Sequence, residues 1–301
     1  MIFRKITIID KCGLTSPEIE KIALLSLEAI SIYDDFPESE SEIIKRVGDA
    51  DCVLVSWHTK ISAETIQAFP SLKFIGMCCS LYDEKSANVD IFEARKMGIE
   101  VKGVRDYGDE GTVEFIFSQL IFLLKGLGKN KWRSESTELT NKSIGIVGLG
   151  TLGQMVAKTA IHFGMKVFYF SRSRKQELEK TGITFLPLDE LMESCDIITT
   201  HLPKNTILLN EREFSIKKHN SILINTSLGA TFEEEAFVNW ISNDSTSFAI
   251  FDGNAAGSLQ DELKNYSNII SSEQFSGFTI EAKKRLSQKV LLNLKTYLEK
   301  E

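Results

Sequence analysis

The chain has 301 residues, 43% hydrophobic and 26% charged, with 35 Lys and Arg set against 42 Asp and Glu. That length can hold two domains with sizeable cores. The net charge of −7 argues against the basic stripe that a nucleic-acid or anionic-membrane partner requires, and no apolar run approaches the roughly 20 residues that span a bilayer.

The opening segment, MIFRKITIID, alternates like a strand and lacks the apolar core and cleavage site of a signal peptide. Five cysteines (Cys12, Cys52, Cys78, Cys79 and Cys195) are an odd number without CxxC spacing, so free thiols and a cytoplasmic location are expected. The histidines, at 58, 162, 201 and 219, are scattered, and no metal site is expected.

In the first hundred residues, strands are expected at ITIID, CVLVSW, KFIGMC and EVKGV, with amphipathic helices near 16–28, 40–48 and 85–97. A long apolar helix, TVEFIFSQLIFLLKGL, leads away and suggests a dimer seam; the polar stretch GKNKWRSESTELTNK follows it. A second alternation runs through SIGIVG, KVFYFS, ITF, DIITTHL, SILINTS, SFAIFD and NII. The last segment, TIEAKKRLSQKVLLNLKTYLEK, reads as a helix that returns to the first domain. The fold expected is α/β: two Rossmann-like, doubly wound parallel sheets with a ligand cleft between domains. Residues 1–104 plus 279–301 would form a substrate domain, and 105–278 a dinucleotide-binding domain.

Within SIGIVGLGTLGQMVAKTAIHFGMKVFYFSR, Gly148, Gly150 and Gly153 have GxGxxG spacing after an apolar strand and at the start of a helix. Gly148 permits the tight turn, Gly150 lets a pyrophosphate approach the backbone, and Gly153 allows close helix–sheet packing. The helix N-terminus meets the phosphate charge. About 20 residues on, an NAD site wants an acidic residue for the ribose hydroxyls. Here the run is Ser171-Arg172-Ser173-Arg174-Lys175. Hydroxyls beside guanidinium groups suit a 2′-phosphate, so NADP(H) is expected in preference to NAD(H).

With these motifs the chain resembles the D-isomer-specific 2-hydroxyacid dehydrogenases over nearly its whole length, most strongly from 98 to 277. SCDIITTHLPKN is similar to the family's S-D-x-x-x-x-H-x-P segment, and ILINTSLGATFEEEAF to its N-x-x-R-G segment. The resemblance implies cofactor contacts from Thr151, Leu152, His201, Leu202, Pro203, Thr226 and Ser227. It also implies that Asp252, at the end of AIFD, holds the nicotinamide amide. The family's chemistry does not carry over. Leu228 stands where members bind the substrate carboxylate with an arginine. Gly257 replaces their glutamate, and Gln274 replaces the acid/base histidine of T-P-H-x-A-G. No histidine follows His219, and Arg285 is the one arginine after Arg212. The family's glycine-rich carboxylate loop falls near Cys78-Cys79-Ser80-Leu81, where those glycines are missing.

Other polar residues are candidates for the vacated roles. In GVRDYGDEGTVEF, Arg105, Asp106, Tyr107, Asp109 and Glu110 crowd one turn, and Glu114 matches a family glutamate. Tyr107 or Asp106 could supply a proton and Arg105 could anchor an anion; equally, the segment could be a solvated hinge. Lys204 could act as an acid or anion anchor if desolvation lowered its pKa, or could reach to solvent. Three readings stay open. One is an NADP(H)-dependent oxidoreductase, expected to be cytoplasmic and dimeric, that acts on a carbonyl or imine-like substrate. Another is a catalytically silent NADP(H)-binding protein. The third is a conventional 2-hydroxyacid dehydrogenase with shifted catalytic residues.

Overall fold

A computed structural model of the chain describes residues 1–84, 86–204 and 206–300. It divides into two compact units, Met1–Tyr107 with Thr279–Glu301, and Gly108–Phe278.

The first unit is built on five parallel strands. In chain order it contains β1 (Ile6–Ile8), α1 (Ser16–Ala23), β2 (Ser31–Ile32), α2 (Glu40–Val47), β3 (Cys52–Val55), α3 (Ala63–Gln67), β4 (Phe74–Ser80), α4 (Ile91–Lys96) and β5 (Glu100–Val104). The spatial order is β2-β1-β3-β4-β5. Strands β1 and β3 are buried throughout, as parallel strands covered on both faces must be. One face packs Phe3, Ile6, Leu54 and Phe74, and the other packs Ile9, Val53, Ile66 and Ile75. Helix starts carry local caps: the Ser39 hydroxyl accepts from the Glu42 N–H, and the Asp90 carboxylate from the Glu93 N–H.

Several expectations differ in detail. The helix expected near 16–28 stops at Ala23, and β2 is an edge strand too short to show a period. The helix expected at 85–97 is Ile91–Lys96, and Lys85 lies outside the described residues. Strand β4 continues through Cys78 and Cys79 to Ser80, so the segment likened to a glycine-rich loop is largely strand. All five cysteines are free and buried.

The second unit holds seven parallel strands. It runs α5 (Asp109–Lys125), β6 (Ser143–Val147), α6 (Thr151–His162), β7 (Lys166–Phe170), α7 (Gln176–Glu179), β8 (Ile183–Phe185), α8 (Leu188–Ser194), β9 (Ile197–Thr200), α9 (Glu211–Ile216), β10 (Ile222–Asn225), α10 (Glu234–Asn243), β11 (Phe248–Phe251) and β12 (Ile269–Ser271). Short 3₁₀ turns, Gly257–Gln260 and Glu262–Asn265, link the last two strands. The order β12-β11-β10-β9-β6-β7-β8 reverses direction between β6 and β9. In such sheets ligands bind outside the carboxyl ends of the strands at that reversal.

The final helix, α11 (Ile280–Lys300), packs Leu286, Val290 and Leu294 on the first unit's core, beside β4 and β5. Among the described residues, no helix is long and apolar enough to cross a membrane.

Candidate dinucleotide and active-site residues

The glycine loop lies at the strand-order reversal, between the ends of β6 and β9. Gly148 has φ +99°, and a Cβ there would lie 2.2 Å from the His201 carbonyl oxygen. A Cβ on Gly153 would lie 2.2 Å from the Gly148 carbonyl oxygen. Both glycines are therefore required by protein packing. Gly150 differs: its Cβ would meet nothing within 4 Å. Its backbone is exposed and opens α6, where free N–H groups and the helix dipole favour an anion. The residues fit a dinucleotide pyrophosphate, and Gly150 is the position whose bareness the protein itself does not explain.

Neighbouring loops are tied together by hydrogen bonds. The Asn225 side chain accepts from Thr200 Oγ1 (2.9 Å) and the Ser227 N–H (3.0 Å), and donates to the Gly229 and Ala255 carbonyls (3.0 and 2.8 Å). Ser227 Oγ accepts from the Leu202 N–H at 3.1 Å. Asn225 and Ser227 thus fix the turns after β9 and β10 relative to each other. Thr226 Oγ1 and His201 Nδ1 are buried polar atoms without a protein partner, which suits groups that hydrogen-bond a cofactor. Nε2 of His201 pairs with Thr199 Oγ1 at 3.1 Å, and burial pushes the imidazole pKa down to about 3. His201 is therefore neutral at physiological pH. Leu202 and Pro203 are half-buried on the same turn, whose Asn205 lies outside the described residues.

After β7, Ser171 Oγ donates to the Ser173 carbonyl at 2.6 Å. Arg172, Ser173 and Lys175 are exposed. Arg174 is exposed too, but its Nε and Nη2 donate to the two carboxylate oxygens of Glu179 at 2.8 and 2.7 Å. The sequence counts Arg174 among the phosphate-binding cations; in the structure its fork is occupied by Glu179. Sequence reasoning passes over Glu179 because no spacing rule links a short helix's last residue to the preceding turn.

Asp252 is 5% exposed, at the end of β11. Its Oδ2 accepts both the Ser276 N–H (2.8 Å) and the Ser276 hydroxyl (2.5 Å). Burial raises its carboxyl above the usual range, and the two Ser276 bonds pull it partly back. Sequence reasoning misses Ser276 as well, although a serine stands there where the T-P-H-x-A-G pattern has alanine.

The vacated positions lie on the second unit at the carboxyl ends of its strands. Leu228 is 37% exposed and so is not filling a core. Gln274 is exposed, and its carbonyl accepts from the Gly253 N–H at 3.1 Å. Gly257 has φ +67°, and a Cβ there would lie 3.2 Å from Ala230 Cβ. That backbone has adapted to having no side chain.

The expected substitutes find less support in their surroundings. Lys204 is exposed and lacks the burial that a proton-donating role requires. Arg105 directs Nε and Nη2 at the Leu81 and Tyr82 carbonyls, both at 2.8 Å, so its fork is occupied rather than presented to an anion. Asp106 is exposed, with φ 54°. Burial raises the Tyr107 phenol above its ordinary pKa, so it stays protonated near neutrality. The carbonyls of Arg105, Asp106 and Tyr107 are gripped by α11: Lys289 Nζ donates to the first two (2.6 and 3.1 Å) and Arg285 Nε to the third (2.8 Å). Asp109 and Glu110 open α5, and Glu114 lies one turn further on. Among the described residues no group of three His, Cys, Asp or Glu could hold a metal.

Residues 119–273 match the model of the D-isomer specific 2-hydroxyacid dehydrogenase NAD binding domain. The chain belongs to this family. Among its relatives are a glyoxylate reductase of Thermococcus onnurineus, 28% identical over 88% of this chain and 85% of that protein, and a hydroxypyruvate reductase of Blautia hydrogenotrophica, 26% identical over 98% and 97%. Among solved structures, an acyclic imino acid reductase in complex with NADPH and D-Arg superposes with a TM-score of 0.83, at 26% identity over 98% of this chain and 97% of that one. The NAD+-bound 3-phosphoglycerate dehydrogenase of Entamoeba histolytica shares the fold, with a TM-score of 0.80 at 21% identity over 98% and 95%. Family membership makes the second unit a nicotinamide-dinucleotide-binding domain and the chain an oxidoreductase of the dehydrogenase type.

Proposed function

We propose that this protein is an NADP(H)-dependent reductase whose substrate is a protonated carbon–nitrogen double bond rather than a 2-oxo acid. The observation that carries the reading is Gln274 at the acid/base position. The cofactor, when bound, supplies the hydride, for either kind of substrate. A ketone or aldehyde oxygen must also receive a proton as it becomes an alcohol, and general acid catalysis of that step contributes roughly 10²–10⁴-fold. A carboxamide has no such proton to give. An iminium nitrogen carries its proton already and takes back the π-electron pair as the carbon accepts hydride, so an amine forms without a protein acid.

On the cofactor side, Gly148, Gly150 and Gly153 would hold the pyrophosphate, and Asp252 the carboxamide. Arg172, with Ser171 and Ser173, would meet the ribose phosphate. The solved relative with NADPH and D-Arg supports both parts of the reading, being an imino acid reductase in complex with the phosphorylated cofactor. A cytoplasmic location and a homodimer through α5 belong to the proposal; half-buried Phe115 and Ile121 and exposed Phe122 support the seam.

NADPH oxidation should be followed with cyclic imines and with 2-oxo acids mixed with amines, and compared with glyoxylate, pyruvate and hydroxypyruvate alone. Turnover is expected only in the first group. Turnover of the free 2-oxo acids at ordinary dehydrogenase rates would overturn the reading. Tight NADPH binding with no turnover of any imine would favour a silent binding protein.

A further inference from the structure

The turn after β7 carries three cations, Arg172, Arg174 and Lys175, and the structure treats the two arginines differently. Arg174 forms a bidentate pair with Glu179, and its Cζ lies 5.4 Å from the Phe185 ring centroid. Glu179 does not swing freely: its side chain is only 20% exposed. Its Oε1 also accepts from the Tyr169 hydroxyl at 2.8 Å, and that hydroxyl accepts from the Lys175 N–H at 2.7 Å. Tyr169 lies in β7 and is fully buried, so the carboxylate is moored to the sheet. Arg174 and the tyrosine together hold the Glu179 carboxyl down to about 2. Arg172, two residues earlier, is exposed and enters no ion pair among the described residues.

We propose that Glu179 sets the cofactor specificity of this protein by holding Arg174 away from the ribose 2′-phosphate, leaving Arg172 as the guanidinium that reads it. The proposal rests on the NADP(H) reading above. To reach the phosphate, Arg174 must release two charged hydrogen bonds. The carboxylate left behind would then face an incoming group of nearly two negative charges. Hydrogen bonds to the phosphate would be of the same charged kind as those to Glu179, so Arg174 adds little in the wild type. Glutamine at 179 removes the charge yet keeps an oxygen to accept from Tyr169, so the turn stays anchored while Arg174 becomes available.

The test is a set of NADPH and NADH titrations at one ionic strength on wild type, Arg172→Ala, Arg174→Ala, Glu179→Gln and the Glu179→Gln/Arg174→Ala double variant. Thermal melts check folding, and Glu179→Ala serves as a second variant if glutamine destabilises the turn. Arg174→Ala should leave NADPH affinity within about twofold of wild type. Glu179→Gln should tighten NADPH by about tenfold and leave NADH unchanged, and the double variant should lose that gain. Glu179→Gln that fails to tighten NADPH, or Arg174→Ala that alone weakens it tenfold, overturns the proposal. If the wild type binds both cofactors alike and Arg172→Ala is silent, the NADP(H) reading has failed. The role of Glu179 then stands only if its glutamine variant creates a preference for NADPH that Arg174→Ala abolishes.

Discussion

Ser276 donates both its backbone N–H and its hydroxyl to one oxygen, Oδ2, of the buried Asp252. The hydroxyl also lies 3.2 Å from Thr112 Oγ1 on α5, so one serine links the end of β11 to the helix that opens this unit. Asp252 is held in one orientation by a residue the family pattern gives as alanine.

Ser276→Ala should therefore destabilise the protein in a pH-dependent way. Asp252 titrates higher in the folded than in the unfolded chain, where an aspartate has a pKa of about 3.9. Between those values the folded state binds more protons, so stability falls as pH rises through that window. Losing the hydroxyl removes a hydrogen bond to a charge, about 1.5–3 kcal/mol, and lifts the carboxyl further. Urea unfolding should show the larger loss at pH 7 and a smaller one near pH 4. An equal loss at both would mean the hydroxyl is not acting on the carboxylate.

The glycines of the nucleotide loop should separate stability from binding. Gly153→Ala drives a methyl group to 2.2 Å from a backbone oxygen and should cost roughly 1–3 kcal/mol on thermal or urea unfolding. Gly150→Ala places its methyl in open space, so its melting temperature should match the wild type while both NADPH and NADH bind at least about tenfold more weakly. Undiminished cofactor affinity in Gly150→Ala would remove the pyrophosphate from that spot.

Restoring the family's three residues should not restore the family's chemistry. Leu228→Arg and Gln274→His alter exposed positions, but Gly257→Glu forces a side chain onto φ +67° with its Cβ 3.2 Å from Ala230 Cβ. Such strain costs of the order of 1–3 kcal/mol. The triple variant should melt lower than the Leu228→Arg/Gln274→His double variant and still reduce glyoxylate poorly. Brisk glyoxylate turnover by the triple variant would show that the loop rearranges at small cost.

A buried lysine predicts a second pH dependence, of opposite sign. Lys217 is 4% exposed, donates to Ser221 Oγ at 2.6 Å, and sits 5.1 Å from the Trp240 ring centroid. Burial pushes its amine down to about 7, against about 10.4 for an unfolded lysine. Between those values the unfolded chain binds the extra proton, so stability rises with pH over that range and the penalty is full below it. Lys217→Met should stabilise the protein at pH 7 by roughly 1–4 kcal/mol, the range for replacing buried charge with apolar packing. That advantage should shrink by pH 10 in parallel urea titrations. A constant difference across the range would place the amine in contact with water.

The strand–helix alternation and the glycine spacing are readable along the chain because both depend on local pattern. A parallel strand covered on both faces is a short apolar run such as SIGIV or FAIF, and a dinucleotide loop needs its glycines at set intervals. The same local pattern is what sets Leu228, Gly257 and Gln274 against the arginine, glutamate and histidine that the family resemblance leads one to expect. Short edge elements leave no such mark. A two-residue strand such as Ser31–Ile32 exists only because β1 offers it hydrogen-bond partners.

What each side chain is free to do depends on partners distant in sequence or on burial, neither of which spacing records. Arg105 reads as an anion anchor until Leu81 and Tyr82 claim its donors, and Arg174 as a phosphate ligand until Glu179 pairs with it. Tyr107 reads as an acid, but burial makes it hold its proton more tightly. The scaffold and the nicotinamide cofactor class are written in the residues themselves, since each follows from which residue types occupy a recurring local pattern. Which cations remain available, and which oxygen of Asp252 is taken, emerge only once the chain is folded, because hydrogen bonds and desolvation belong to neighbours in space.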